Sequence, residues 1–487
     1  MIKILLFATI SVFCLKCWTC SDEMRVRELW DIQEFNNYLK STQDSNLFDS
    51  TRIINADLHQ YKSGLHNEDV YLNVSQLISK YGYSVEEHKV KTEDGYIITM
   101  VRIPSEGPVV FLMHGLLGCS DDFVTAGTQS GIAYLLADEG YDVWMGNARG
   151  NKHSRIHETL MPSTFQFWDF SWDEIGRYDL PAMIDHILDV RNQTQLIYVG
   201  HSQGSTAFFV MASELQAYND KISLMVALSA PTAIPNIKSP FLNFLKIITL
   251  NRPDLLFALA KEMGFYEFLP SNDLVKTFGP SICGREELAE IICGNIMFMF
   301  CGFDAAQLNI TQLPVIFSHQ PSGAATKQVE HYSQAVISGQ FSRFDLGEEK
   351  NLEMYGSKTP PEYPVEKITT PIAIFYSDND WLVSVDDTEA LLKRLRNVVE
   401  VYQVPYPHFN HVDYLFAKDV KTLVFTKLAS IPNLAQRFFM RFRGALRKDF
   451  SKLTPLGVGT GVQRLHGEII LVRLLYSKLN RSTPINK

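Results

Sequence analysis

Between residues 84 and 416 the chain alternates short apolar runs with stretches of helical period. The runs at 109–113, 142–145, 196–199, 224–228, 372–376 and 399–404 predict strands, and the stretches at 131–139, 180–191, 205–217 and 386–395 predict crossover helices. Strand and helix in regular alternation predict an α/β fold, a mostly parallel central sheet covered by helices on both faces. The alternation stops from 234 to 367, an interval longer than a plain crossover needs. It is rich in large apolar side chains, among them Phe241, Phe244, Phe257, Phe265, Met297, Phe298, Met299 and Phe300. An insertion of this size between two core strands predicts a largely helical cap over the C-terminal edge of the sheet, where open α/β sheets place their ligands. A second domain with its own core is the alternative.

The two ends differ from this body. Residues 1–20 carry Lys3, an apolar run from 4 to 15 and small residues before Ser21, the pattern of a secretory signal and too short to span a membrane. Cys14, Cys17 and Cys20 then leave with the signal, so the Cys17-Trp18-Thr19-Cys20 spacing is not taken as a redox or zinc motif. Four cysteines remain, and Cys283 and Cys293 lie close enough in sequence for a disulfide to close the loop in an oxidising compartment; buried thiols are the alternative. Glycosylation sequons begin at Asn73, Asn192, Asn309 and Asn480 and agree with secretion.

Composition refines the picture. With 487 residues, 46% hydrophobic and 20% charged, the chain is an ordinary globular protein rather than a disordered, fibrous or multi-span one. Its net charge of −9 hides an asymmetry: residues 437–487 hold eleven Lys or Arg against two Asp or Glu, so that stretch carries +9 and the remainder −18. The net acidic balance disfavours nucleic acid as the main partner, since phosphate neutralisation needs clustered positive charge. The basic extension, 434–487, offers two stretches that could form amphipathic helices at an anionic surface, 435–450 and 463–479; a loosely attached appendage is the other reading.

The chemistry-bearing residues gather at the ends of predicted strands. An apolar run enters Gly200-His201-Ser202-Gln203-Gly204 and leaves into a helical pattern, the strand–turn–helix context of a nucleophile elbow. Glycines on either side of Ser202 are required because a tight turn there leaves no room for side chains. Serine needs a base to take its proton and an acid to orient that base, and in this arrangement they follow in the order acid, then histidine. The strand at 372–376 ends in Ser377-Asp378-Asn379-Asp380, and the strand at 399–404 is followed by His408 and His411; the residues alone leave both pairs open. For the oxyanion, the N–H of Gln203 and that of Leu116, in the turn after the strand at 109–113, are the expected donors. His114 is expected to shape that turn. His153 and His157 are expected to be a solvent-facing pair rather than zinc ligands, and Gly457-Val458-Gly459-Thr460-Gly461 follows no strand and lacks the lysine of a phosphate cradle.

Five blocks together resemble the acid lipase family of α/β-hydrolases, the gastric and lysosomal acid lipases and their invertebrate relatives. They are His114-Gly115-Leu116-Leu117-Gly118, Gly146-Asn147-Ala148-Arg149-Gly150-Asn151, the sixteen residues from Phe167 to Ala182, the Ser202 elbow, and His411-Val412-Asp413-Tyr414-Leu415, within a span from Asn55 to Asn433. The resemblance implies an α/β-hydrolase core at 55–233 and 368–433 with a cap and lid at 234–367. It also implies Asp380 as the acid, His411 as the base, and a cysteine pair in the insertion matching Cys283 and Cys293. The implied activity is serine-dependent hydrolysis of lipid carboxylic esters, triacylglycerol or cholesteryl ester, at acidic pH, in a secreted or lysosomal protein. The implied partner is a lipid ester at a lipid–water interface, with no metal or organic cofactor. A silent lipid carrier and an acyltransferase are the rival readings on the same fold. After Asp380 the chain continues Trp381-Leu382-Val383-Ser384-Val385-Asp386, where the family has an Ala-Asp-Pro turn, and the basic extension has no counterpart in the family.

Overall fold

The computed structural model describes residues 67–239, 258, 260–271, 301, 302, 304, 306–309 and 311–431. The signal at 1–20, Cys283, Cys293, Asn480 and the basic extension lie outside the described residues. In chain order the main elements are α1 (Val74–Lys80), β1 (Glu86–Lys91), β2 (Tyr96–Ile103), β3 (Val109–Met113), α2 (Ile132–Asp138), β4 (Asp142–Met145), β5 (Ile156–His157), α3 (Leu180–Arg191), β6 (Leu196–His201), α4 (Gln203–Glu214) and β7 (Ile222–Leu228). Between the two halves of the sheet lie β8 (Glu267–Phe268), α5 (Leu313–His319), β9 (Ala324–Ala325), α6 (Thr326–Ser338) and α7 (Glu348–Tyr355). The sheet is then completed by β10 (Ile372–Tyr376), α8 (Val385–Arg394) and β11 (Val398–Gln403), followed by α9 (Asp413–Phe416).

The strand order is β1-β2-β4-β3-β6-β7-β10-β11, with β5 paired to β2. From β4 to β11 every neighbouring pair is parallel, whereas β1, β2 and β4 pair antiparallel. The predicted strands at 109–113, 142–145 and 372–376 coincide with β3, β4 and β10. β1 and β2 have no counterpart among the sequence-predicted strands. β1 reads Glu-Glu-His-Lys-Val-Lys, mostly charged along an exposed edge, so it lacks the apolar run that marks a buried strand and carries the charges that deter edge-to-edge pairing.

Each central strand feeds two cores because successive side chains point to opposite faces. Phe111, Trp144, Tyr198, Met225 and Ile374 pack on one side with α3, α4 and the Phe167–Trp172 aromatic segment. Val110, Val143, Ile197, Leu224 and Phe375 pack on the other with α2, Tyr414 and Phe425. α3 shows why such a helix docks: Leu180, Met183, Ile184, Ile187 and Leu188 are buried at the spacing of a single helical stripe, and Asn192 ends the helix in the left-handed conformation at φ 47°. Burying each of these side chains stabilises the fold by roughly 1.5–3 kcal/mol before entropy is counted. Truncating Ile184 to alanine would cost about 2–5 kcal/mol.

The consequence for function is positional. The C-terminal ends of β3, β6, β7, β10 and β11 lie side by side, so the loops that leave them converge on one edge.

Candidate active site

Ser202 stands between β6 and α4 at φ 51°, ψ −121°, a conformation costly for a non-glycine residue. Its surroundings enforce it. The Ser202 N–H donates to the Leu228 carbonyl at 3.0 Å, and the Ser202 carbonyl accepts from Ser205 N at 2.8 Å. A Cβ at position 204 would lie 2.3 Å from the Met113 carbonyl oxygen, and one at 200 would lie 2.7 Å from Ser205 N. The two glycines therefore let the elbow press against β3 and turn sharply enough to project the Ser202 hydroxyl over the strand ends.

His411 lies in the loop between β11 and α9, with Nε2 2.8 Å from Ser202 Oγ and Nδ1 2.9 Å from Asp380 Oδ2. The Asp380 carboxylate is fixed from its other oxygen, which accepts the Leu382 and Val383 N–H groups at 2.9 Å. All three side chains are buried. Burial works to raise the Asp380 pKa, but His411 and the hydrogen bonds it accepts outweigh that and hold it below the ordinary carboxylate value. The other members of the open pairs face elsewhere: Asp378 is exposed and accepts from Gln403 Nε2 at 2.7 Å, and His408 is exposed, its carbonyl accepting from Asn379 Nδ2 at 2.7 Å. Geometry thus brings Asp380 and His411 to Ser202 and leaves Asp378 and His408 at the surface.

Two further features were not anticipated from the sequence. Ser229, directly after β7, reaches both partners: its Oγ donates to Asp380 Oδ2 and lies 2.9 Å from His411 Nδ1. The signal that could have found it is the one that pointed to the Asp378/Asp380 pair, a polar residue just past the C-terminal end of a core strand. Cys301 and Gly302 wedge between the loops that carry Asp380 and His411, the Cys301 carbonyl accepting from Trp381 N at 3.3 Å and His411 N at 3.4 Å, and the Gly302 carbonyl from Asn410 Nδ2 at 3.0 Å.

The turn after β3 closes the site from the opposite side. A Cβ on Gly115 would meet Ser202 Cβ at 2.9 Å, so this turn lies directly against Ser202, and Leu116 lines the same cavity. Gln203 opens α4 and its side chain donates to Gln328 Oε1 on α6 at 2.6 Å. His114 accepts Ala148 N–H at Nε2 (3.0 Å), so Nδ1 carries the proton donated to the Gly115 carbonyl at 2.7 Å. Burial pushes its pKa down to about 4, so it braces the turn as a neutral ring. The turn is also held from the insertion, since Ser322 N donates to the Leu117 carbonyl at 2.8 Å.

Residues 74–127 match the partial α/β-hydrolase lipase region, and residues 108–418 match the α/β hydrolase fold. Lipase 1 of Drosophila melanogaster is 43% identical over 367 residues, 75% of this chain and 80% of that protein. Lysosomal acid lipase/cholesteryl ester hydrolase of Homo sapiens is 38% identical over 370 residues, 74% of this chain and 90% of that protein. Gastric triacylglycerol lipase of Mus musculus is 37% identical over 380 residues, 76% of this chain and 94% of that protein. The chain belongs to the acid lipase family. It is an α/β-hydrolase and a carboxylic-ester hydrolase.

In this acid lipase the family blocks are joined by physical contacts. Arg149, from the Gly146–Asn151 block, pairs with Asp179, from the Phe167–Ala182 block, at 2.7 Å and lies over the Tyr96 ring at 4.1 Å. Within the second block Gly176 packs so closely on α4 that a Cβ would lie 2.7 Å from the Ala207 carbonyl, so the block is a platform beneath the elbow helix.

The apolar wall of the acid lipase site is formed by Leu116, Pro231, Ile234 and Leu382 together with Tyr332 and Val336 of α6. His153 and His157 do not form the expected solvent-facing pair: both are half-buried and serve separate turns, His153 Nε2 bonding Asp121 Oδ1 at 2.7 Å and His157 Nε2 the Asp94 carbonyl at 2.8 Å. Cys119, Asp121 and His153 bring potential metal-ligand atoms together, but the Lys152 ammonium already lies 2.7 Å from Asp121 Oδ2, and the cluster is satisfied as an ion-pair network.

Among the described residues, no helix is long and apolar enough to cross a membrane. Of the sequon asparagines, Asn73 and Asn192 are exposed and Asn309 is half-buried. Asn73 caps α1 through Oδ1, which leaves its amide nitrogen free of that role. Cys119 and Cys301 are buried free thiols.

Proposed function

We propose that this acid lipase hydrolyses triacylglycerols or cholesteryl esters through an acyl-enzyme on Ser202. The observation that carries the reading is the continuous hydrogen-bonded chain Ser202–His411–Asp380, at 2.8 and 2.9 Å, opening onto an apolar wall. His411 Nε2 takes the Ser202 proton as Oγ attacks the ester carbonyl, while Asp380 holds the imidazole in the tautomer with its proton on Nδ1. The N–H groups of Leu116 and Gln203 receive the oxyanion. His411 returns the proton to the departing alcohol, and the C–O bond breaks. Water then enters, gives its proton to His411, and attacks the acyl carbonyl; as the acyl–Oγ bond breaks, His411 passes that proton to Ser202 Oγ, releasing the fatty acid and restoring both residues. The residues supply nucleophile, base and charge stabilisation themselves, so neither metal nor organic cofactor enters the scheme.

In the same reading residues 234–367 form the cap, and the apolar side chains of α6 meet the acyl chain. A disulfide between Cys283 and Cys293 and glycans at Asn73, Asn192 and Asn309 accompany a secreted or lysosomal protein. Covalent labelling by a fluorophosphonate is expected in the wild type and absent in Ser202→Ala. A wild-type protein that binds fatty acyl ligands yet stays unlabelled at every pH would overturn the hydrolase mechanism in favour of a carrier. Product analysis with an added alcohol acceptor distinguishes acyl transfer, and turnover of triolein against cholesteryl oleate from about pH 4 to about pH 8 assigns the substrate.

A further inference from the structure

A serine hydrolase working in acid faces a conflict. Its base must be neutral to accept a proton, yet free histidine titrates near about 6.5, and a carboxylate beside it stabilises the protonated form. The Asp380–His411 contact at 2.9 Å is such a pairing. A further donor to that carboxylate oxygen would restrain its pull on the imidazole.

Ser229 occupies the position from which that can be done. Its hydroxyl donates to Asp380 Oδ2, the same oxygen that faces His411 Nδ1, while Oγ itself lies 2.9 Å from Nδ1. The three atoms form a closed triangle. With one proton on Oγ and one on Nδ1, the hydroxyl donates a hydrogen bond to the carboxylate, and the Nδ1–H is shared between Oδ2 and Oγ as acceptors. Carboxylate charge accepted by a second donor is less available to the imidazolium. The backbone holds the hydroxyl in place at some cost. Ser229 has φ 52°, where glycine would be unstrained, and its N–H is tied to the Phe375 carbonyl at 3.0 Å. Were the position only a turn, glycine would serve it better; a side chain is present and its hydroxyl is aimed at the pair.

The Leu382 and Val383 N–H groups take up carboxylate charge at Oδ1, whereas Ser229 does so at Oδ2, the oxygen that faces His411; the remaining groups around the pair do not. His201 donates Nε2–H to the His411 carbonyl at 2.9 Å, away from Nδ1, and burial keeps it neutral. Cys301 and Tyr414 are buried near Asp380, and burial holds both as neutral acids. Asp413 is buried beside Asp304 and is likewise pushed toward its neutral form by burial. Ser202 lies on Nε2, the opposite nitrogen.

We propose that Ser229 is a positioning residue that orients Asp380 and His411 and, by sharing the carboxylate charge, keeps the base of this enzyme neutral further into the acid range. The proposal rests on the reading of Ser202, His411 and Asp380 as nucleophile, base and acid. Two variants test it with a soluble short-chain ester: Ser229→Ala removes the hydroxyl and keeps the strained backbone, and Ser229→Gly removes the hydroxyl and relieves the strain, so that folding is safeguarded. In both, the acidic limb of kcat/KM should move to higher pH by about half a unit or more. In both, kcat on the plateau should fall about ten-fold with KM within about two-fold of wild type. An acidic limb that stays in place or moves to lower pH in either variant overturns the proposal, as does a glycine variant that matches wild type. Fluorophosphonate labelling is run alongside: failure of wild-type labelling defeats the underlying mechanism, whereas labelled variants with an unmoved limb defeat Ser229 alone.

Discussion

Arg149 and Asp179, thirty positions apart, meet at 2.7 Å with both side chains removed from solvent, and the Arg149 N–H donates to the same carboxylate at 2.9 Å. Arg149 also pairs with Asp94 at the edge of the site's supporting layer. Replacing the cation by an apolar side chain strands a buried carboxylate. Arg149→Met should lower the unfolding free energy by about 3–5 kcal/mol, measured from urea midpoints at constant m. Burial already pushes Asp179 up to about 6 against the pull of Arg149. In the variant the carboxyl should take up a proton more readily, so the loss should be smaller near about pH 5 than near about pH 8.

Substitutions at the two open pairs should separate cleanly. Asp380→Asn leaves the fold but removes the acceptor that fixes the His411 tautomer, and kcat should fall by about 10⁴. Asp378→Asn and His408→Ala remove only surface groups, and kcat/KM should stay within about two-fold of wild type. Loss of activity in Asp378→Asn comparable to that in Asp380→Asn would contradict the assignment.

Asp122 provides a pH prediction with a definite sign. Burial, and after it the neighbouring Asp121 charge, pushes its carboxyl up to about 8. Between roughly pH 4 and pH 8 the folded protein holds a proton that the unfolded chain has released, so this group makes stability fall as pH rises. Asp122→Asn abolishes the titration. Relative to wild type, the variant should gain stability between about pH 4 and about pH 8 by a few kcal/mol. Parallel stability–pH curves for the two proteins would refute this.

Val336 of α6 shares the cavity with Ser202. Enlarging it to tryptophan should lower kcat/KM for a long-chain ester by about ten-fold or more while leaving an acetyl ester within about two-fold, because only the longer acyl chain has to pass the added ring. Equal losses on both esters would place the acyl chain elsewhere.

Gly302 has φ 111°, and a Cβ there would lie 2.1 Å from the Asn379 carbonyl. Gly302→Ala should displace the loop that carries Asp380, lowering kcat by at least about ten-fold with a smaller effect on stability. Retained kcat would show that the acid loop does not depend on this contact.

The parts legible in the sequence were those governed by local pattern. β3, β4 and β10 were found at their observed ends because each is an unbroken apolar run, and Ser202 because two glycines frame it for steric reasons. The choice of Asp380 over Asp378 was not local, since it depends on which carboxylate the Leu382 and Val383 N–H groups capture, and the resemblance rather than the spacing selected it. β1 has no local signature because an exposed antiparallel edge is patterned by charge rather than by burial, whereas β2 is a largely buried apolar run whose pattern was there to be found. Ser229 and Gly302 were missed because their partners lie far away in sequence: Ser229 meets His411 across 182 positions. His153 was misjudged for the same reason, its partner Asp121 being hidden from any short window.

The seat of Cys301 and Gly302 between the acid and base loops bears on how this enzyme could be re-engineered. Exchanging the whole 234–367 interval with that of a relative, as a cassette chosen for its substrate preference, would also replace the Cys301 carbonyl, which aligns the Trp381 and His411 backbones, and the Gly302 carbonyl, which holds the Asn410 side chain. Chimeras should therefore be joined so that residues 301 and 302 travel with the sheet and not with the graft, which makes the insertion two transplantable pieces rather than one.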